Sequence, residues 1–201
     1  MKIGVDLDNT IICYDTVFAH VARTLGYGCD GAITKNSIKA WFKNKEMDYK
    51  FTEIQGLVYG KYIEHADLFS GVRDCLEAWS VQQHEIYIVS HKTKYPIIGE
   101  KIDLRMAAKN YLIDAGILKQ GSIPVKNLFF ESTVSSKLLK ISKLNLDVFI
   151  DDLSTILNAN EFPSLTRKIL FDPKQKTKEV SSFSIATDWL EIATLIKNQK
   201  V

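Results

Sequence analysis

Two hydrophobic rhythms alternate along this chain. Short runs of apolar, β-branched and aromatic residues at 3–7, 85–89, 127–130, 146–150 and 168–171, each bounded by polar or turn residues, predict buried strands. Between and after them apolar residues recur at helical spacing. Val72, Cys75, Leu76 and Trp79 mark one helix, and Leu104, Ala108, Leu112 and Ala115 mark another over 102–115, stopped by Gly116. Leu138, Ile141 and Leu144 mark a third, and Trp189, Leu190, Ala193 and Ile196 a closing helix over 188–197. This alternation predicts an α/β fold built on a doubly wound, mostly parallel sheet with helices on both faces.

One interval breaks the rhythm. The first two strands are separated by nearly eighty residues, where a parallel crossover needs only about a dozen. Phe18, Val21, Ala22 and Leu25 follow helical spacing before Gly26 and Gly28; Ile38, Trp41 and Phe42 do so again, as do Phe51, Ile54, Val58 and Tyr62. The expected organisation is an α/β core of residues 1–13 and 69–201 with a small helical cap, 14–68, inserted after strand one. At 201 residues the chain suits one domain with an insertion.

The chemistry gathers at the ends of the apolar runs. The first run leads directly into Asp6-Leu7-Asp8-Asn9-Thr10, the second into Ser90-His91-Lys92-Thr93, and the fourth into Asp151-Asp152; Lys137 stands near the start of the third helix. Each has an ordinary structural reading: a polar turn with Asn9 and Thr10 capping a helix, an N-cap at Ser90, a solvated lysine. Lys137 is nevertheless misplaced electrostatically, since cations favour the other end of a helix. Two like charges about 4 Å apart repel by about 4 kcal/mol at an effective dielectric near 20. Gathering Asp6, Asp8, Asp151 and Asp152 in one cleft therefore calls for a cation. The candidate ligands are all oxygens, with no cysteine or histidine at metal spacing, which favours a hard ion such as magnesium over zinc.

Taken in order, strand-Asp-x-Asp-x-Thr, strand-Ser, helix-start Lys and strand-Asp-Asp resemble the haloacid dehalogenase (HAD) superfamily of aspartate-nucleophile phosphatases, from Ile3 to Asp152. The resemblance implies a Rossmann-like core with strand one central and the site where strand order reverses. It implies Asp6 as nucleophile and metal ligand, Asp8 as general acid and base and as a metal ligand through its carbonyl, and Asp152, with or without Asp151, completing the magnesium site. Asn9, Thr10, Ser90 and Lys137 would bind phosphate, while His91, by its position after Ser90 alone, is a phosphate-binding candidate that with Lys92 could neutralise a second anionic group on the substrate. The pattern departs from the family in two respects: Lys140 competes with Lys137 for the lysine role, and no acid follows Asp152 within one helical turn.

The expected activity is magnesium-dependent phosphomonoester hydrolysis through an aspartyl-phosphate, on a small soluble metabolite such as a nucleotide or sugar phosphate. A narrower likeness to deoxyribonucleotidase-like members lies in the adjacent acids and the short step from Lys137 to Asp151. The alternatives are a phosphotransferase or phosphomutase, and a catalytically silent phosphate-binding module. Asp8 argues against dehalogenation, because a halide leaving group needs no proton. A cation pump is excluded, because no apolar stretch approaches the ~20 residues of a membrane span. In relatives with an insertion here the cap closes over the site and selects substrate; Gln55, Tyr59 and Lys61 are candidates for that contact.

Composition changes little. Hydrophobic content is 46% and formal charge +2, giving no reason to expect nucleic acid or membrane partners, and the oligomeric state stays open. Arg167, Lys168, Lys174, Lys176 and Lys178 are expected on a solvated loop around Asp172-Pro173. Cys13, Cys29 and Cys75 form no metal pattern, and the amino terminus has no signal-peptide character, so a cytoplasmic location is expected. His20, His65 and His84 are isolated.

Overall fold

In the computed structural model, which describes residues 1–119, 122–177 and 182–198, sixteen strands and α-helices follow one another among the described residues. They are β1 (Lys2–Val5), β2 (Ile12–Cys13), α1 (Asp15–Thr24), α2 (Lys35–Asn44), α3 (Asp48–Tyr59), β3 (Asp67–Leu68), α4 (Val72–Val81), β4 (Glu85–His91), α5 (Leu104–Asp114), β5 (Leu128–Glu131), α6 (Val134–Leu144), β6 (Val148–Asp151), α7 (Ser154–Leu157), β7 (Arg167–Phe171), β8 (Ser184–Ala186) and α8 (Trp189–Lys197). Six strands form one sheet in the order β5-β4-β1-β6-β7-β8, every neighbouring pair parallel. Apolar strands with no polar face must lie inside a parallel sheet, and β1 and β6, nearly all buried, take its centre. The chain builds one wing through β4 and β5, then returns to β6 on the other side of β1. Strand order therefore reverses between β1 and β6, the point at which open α/β sheets form a crevice beyond the carboxyl ends of their strands.

The chain divides into two compact units, residues 1–11, 68–91 and 116–201, and residues 12–67 with 92–115. In the first, side chains leave the sheet alternately to its two faces. Val89, Phe149 and Leu170 join Leu138 and Ile141 of α6 in one core. Phe171 meets Trp189 of α8 on the other, where Trp189 also packs on Trp79 of α4. The short edge strand β8 has no apolar alternation in sequence and forms by pairing with β7.

In the second unit α1, α2 and α3 pack on one another around Phe18, Ile38, Phe42 and Val58, all fully buried, with Phe18 stacked on Phe51. Residues 92–115 cluster here too, although the sequence pattern leaves them in the α/β body. The reason is visible in two glycines, Gly56 in α3 and Gly60 at its C-cap. A Cβ on Gly56 would lie 2.8 Å from Pro96 Cβ, and one on Gly60 2.8 Å from Ile102 Cγ2, so the missing side chains let the 92–103 segment lie against the helix. Tyr111 of α5 donates its hydroxyl to the Ala66 carbonyl (2.8 Å).

Three details differ from the sequence pattern. Leu190 is 74% exposed, and the buried stripe of α8 runs through Trp189, Ile192 and Ile196; one residue is a 100° turn, enough to swing Leu190 outward. Leu25 follows α1 as its C-cap and is exposed, and α3 ends at Tyr59, before Tyr62. Arg167 begins β7 and donates from Nη1 to the Leu195 carbonyl (3.0 Å), and Lys168 follows it in the strand opposite Phe149, so neither is a loop residue. Lys174 and Lys176 are exposed beyond the strand; Lys178 lies outside the described residues.

Gly4 lies where β1 passes under Leu146 and Phe149, and a Cβ there would approach Leu146 Cδ1 to 2.3 Å and Phe149 Cδ2 to 2.6 Å. Gly4→Ala is expected to lower stability by about 1–3 kcal/mol through overpacking, read as a reduced urea midpoint at unchanged m-value.

Candidate active site

Four chain segments of the sheet unit converge at the β1/β6 crevice. The ladder between β1 and β6 continues one residue beyond β1, with the Asp6 N–H donating to the Ile150 carbonyl (2.9 Å). That bond sets Asp6 beside Asp151, and both are buried, Asp151 completely. Helix α6 supplies the third group. Its start is a capping box, in which Thr133 Oγ1 accepts from the Ser136 N–H and Ser136 Oγ from the Thr133 N–H. One residue after the box, Lys137 is only 1% exposed. Its Nζ lies 2.5 Å from Asp6 Oδ1 and 2.6 Å from Asp151 Oδ2. Lys140, one turn on, instead pairs with Glu131 at 3.7 Å and covers the Phe129 ring.

The loop after β1 turns sharply. Asn9 has φ 64°, a left-handed conformation that asparagine tolerates better than most residues, and the Ile11 N–H returns to the Leu7 carbonyl (3.0 Å). Thr10 caps no helix: α1 begins only at Asp15. The Thr10 hydroxyl donates to Asp6 Oδ2 (3.4 Å), and its carbonyl accepts from the Trp189 indole (3.1 Å). Asp8 is half-buried, close enough for its charge to act on Asp6. Asp151 turns its second oxygen to the Leu153 N–H (2.9 Å).

Ser90 ends the buried part of β4, next to β1. Its hydroxyl is buried and has no hydrogen-bond partner among the described residues, a condition native interiors avoid. His91 points to the opposite face, exposed, with Nε2 3.1 Å from the Ser132 carbonyl; the strand's alternation turns it away from Ser90. Tyr59 is buried in the helical unit, its hydroxyl accepting from Lys35 Nζ (2.8 Å) with Lys92 Nζ 4.5 Å from its ring centre, while Lys61 is exposed and Gln55 half-buried.

Carboxylate oxygens of Asp6, Asp151 and Asp152 lie within 4.8 Å of one another. Lys137 is the cation that meets two of them. Burial pulls the Lys137 ammonium down, but the Asp151 and Asp6 charges outweigh it and hold its pKa above the ordinary lysine value. Asp6 fares differently: burial, with repulsion from Asp151 and Asp8, overcomes the attraction of Lys137 and pushes its carboxyl up to about 7. The clustered carboxylates of Asp6, Asp151 and Asp152 form an all-oxygen donor set of the kind that suits a hard divalent cation.

Over nearly its whole length the chain aligns with solved structures of HAD-family proteins. It aligns with a HAD phosphatase from Thermococcus onnurineus (TM-score 0.55, 15% identity, all of both chains). A HAD family hydrolase from Deinococcus radiodurans with bound phosphate and sodium aligns at TM-score 0.56 and 12% identity, over 98% of this chain and 95% of that one. The fold is that of the HAD-superfamily hydrolases. The HAD-hydrolase YfnB from Bacillus subtilis, bound to magnesium, aligns at TM-score 0.54 and 13% identity over 97% of each chain. No protein-family model and no curated protein matches the sequence. The likeness to HAD hydrolases thus lies in the backbone, while the site rests on this chain's own residues. No helix among the described residues is long and apolar enough to cross a membrane.

A carboxyl raised from 3.8 to about 7 binds its proton more tightly folded than unfolded. Its contribution to stability is full below pH 3.8 and is lost as pH rises through 7. Asp6→Asn, which cannot ionise, is therefore expected to melt higher than the metal-free wild type at pH 8, with the gain disappearing towards pH 4; thermal melts across that range in EDTA provide the check.

Proposed function

We propose that this chain is a HAD-superfamily phosphatase, a magnesium-dependent hydrolase of small phosphomonoesters that works through an aspartyl-phosphate on Asp6. The observation that carries the reading is the meeting of Asp6, Asp151 and Lys137 at the strand-order reversal, within reach of Asp152. The orphaned Ser90 hydroxyl supports it, being a buried donor that a phosphate oxygen would satisfy.

In the first step an Asp6 carboxylate oxygen attacks phosphorus, forming an O–P bond as the bond to the leaving alkoxide breaks, and the Asp8 carboxyl gives that alkoxide its proton. In the second, Asp8 takes a proton from water, the water oxygen attacks phosphorus, and the Asp6–phosphorus bond breaks to release phosphate. Asp6 and Asp8 both return to their starting states. Lys137 holds the attacking carboxylate in place and, with Ser90 and the backbone amides after Asp8 and Ser90, faces the charge that spreads over the equatorial oxygens. Magnesium at Asp6, Asp151 and Asp152, with the Asp8 carbonyl, would supply charge neutralisation to the carboxylates and the substrate phosphate. The residue that attacks must be ionised; Asp6, with its raised pKa, depends on that added positive charge near neutral pH.

The helical unit is, in this reading, the part of the chain that chooses among metabolites. Nucleotide and sugar monophosphates are the substrate classes proposed, water the acceptor and the cytoplasm the setting.

Purified protein is expected to hydrolyse p-nitrophenyl phosphate with magnesium and to lose turnover in EDTA. Asp6→Asn should abolish turnover, and Asp8→Asn should keep substrate binding while turnover collapses. Magnesium binding with no hydrolysis across a broad phosphate panel would refute the enzyme, and phosphate appearing on an added alcohol in place of water would make it a phosphotransferase.

The lysine is tested separately. Lys137→Ala leaves two buried acids facing each other and should cost about 3–5 kcal/mol in stability together with most activity, whereas Lys140→Ala, removing a partly exposed pair, should cost under about 1 kcal/mol.

A further inference from the structure

We propose that Trp189, the first residue of α8, is a positioning residue for the reaction, holding the loop that carries Asp8 through a single hydrogen bond to the Thr10 carbonyl. The inference rests on the phosphatase reading above.

The indole has one polar atom, and a buried indole N–H needs an acceptor. Trp189 is 1% exposed, and its Nε1 donates to Thr10 O at 3.1 Å across 179 residues of sequence. The ring itself has little room to move. Trp79 lies 5.8 Å and Phe171 6.4 Å from it between ring centres. The Cys75 thiol donates to the Trp189 carbonyl (3.3 Å), and the bare Cα of Gly71 faces its Cβ, where a side chain on Gly71 would come within 3.2 Å. A rigid donor thus meets a strained acceptor segment. Asn9 sits at φ 64°, and the neighbouring Thr10 reaches back through its hydroxyl to Asp6 Oδ2. The bond from α8 fixes Thr10 from one side while Asp6 holds it from the other. Asp8, two residues before Thr10, is carried on the segment between these anchors and the strand.

Trp189→Phe keeps an aromatic ring on Trp79 and Phe171 and removes only the donor. It is expected to lower kcat for p-nitrophenyl phosphate about three- to tenfold, the size of one neutral hydrogen bond acting on the transition state, with KM within about twofold. Amide hydrogen exchange at residues 9–11 should quicken while that of β4 and β6 stays as in the wild type. Unchanged kcat and unchanged exchange would overturn the proposal, as would a uniform quickening across the sheet, which marks a purely structural role. If the wild type turns over no phosphate ester, the phosphatase reading fails, and the exchange at 9–11 still decides whether Trp189 holds the loop. Should the variant not fold, the wild type answers by NMR. The chain has three tryptophans, so Trp41→Phe and Trp79→Phe assign the Trp189 indole proton by elimination. That proton should be protected from exchange and should shift on adding orthovanadate with magnesium; an unprotected, unmoved resonance overturns the inference.

Discussion

A buried ammonium between two buried carboxylates is the constraint on which the rest of this molecule depends. Lys137 meets Asp6 and Asp151 where all three are all but removed from water. Desolvation costs several kcal/mol per ion even after relaxation, and good geometry at best repays it, so such a cluster is weak evidence for stability and stronger evidence for function. The balance is also incomplete. Lys137 is held fully charged by its two neighbours, while Asp6, facing Asp151 and Asp8 as well, is left short of positive charge. The acid cluster has the donor chemistry that suits a hard cation.

The sheet makes that arrangement affordable. A parallel sheet brings all its strands' carboxyl ends to one edge, and the reversal of order between β1 and β6 sets Asp6 and Asp151 on adjacent strands. The apolar contacts lie beneath, with Phe149, Leu138 and Leu170 on one face and Trp79, Phe171 and Trp189 on the other. Burial on both faces stabilises the scaffold enough to tolerate a charged and strained rim, including Asn9 in the left-handed region. The same scaffold supplies the rim with specific supports: the capping box that starts α6 aims Lys137, and the indole of α8 secures Thr10.

Glycines mark where the chain's second unit departs from its sequence pattern. Residues 102–115 carry an apolar stripe that reads equally well as a sheet-packing helix, because periodicity reports which face is buried and is silent on what covers it. Gly56 and Gly60 could be read as a broken helix end. Contact with Pro96 and Ile102 gives them another reason, since a segment separated from them by about forty residues lies within a side chain's breadth of the helix.

The sequence by itself determined the α/β alternation and the acids at the strand ends, because each is written in local period and local composition. Asp6, Asp8, Asp151 and Asp152 stand out as charges that end apolar runs, a contrast that short-range hydrophobicity exposes. Tertiary structure alone decided that Lys137 and not Lys140 enters the acid cluster, for the two lysines differ by nearly one helical turn and only the packing angle of α6 tells them apart. It also decided that His91 faces away from Ser90, that Leu190 lies outside the α8 stripe, and that Trp189 bonds to Thr10 from the far end of the chain. These are all matters of direction across long sequence separations, and direction is set by how elements pack, on which the spacing of residues within any one element carries no information.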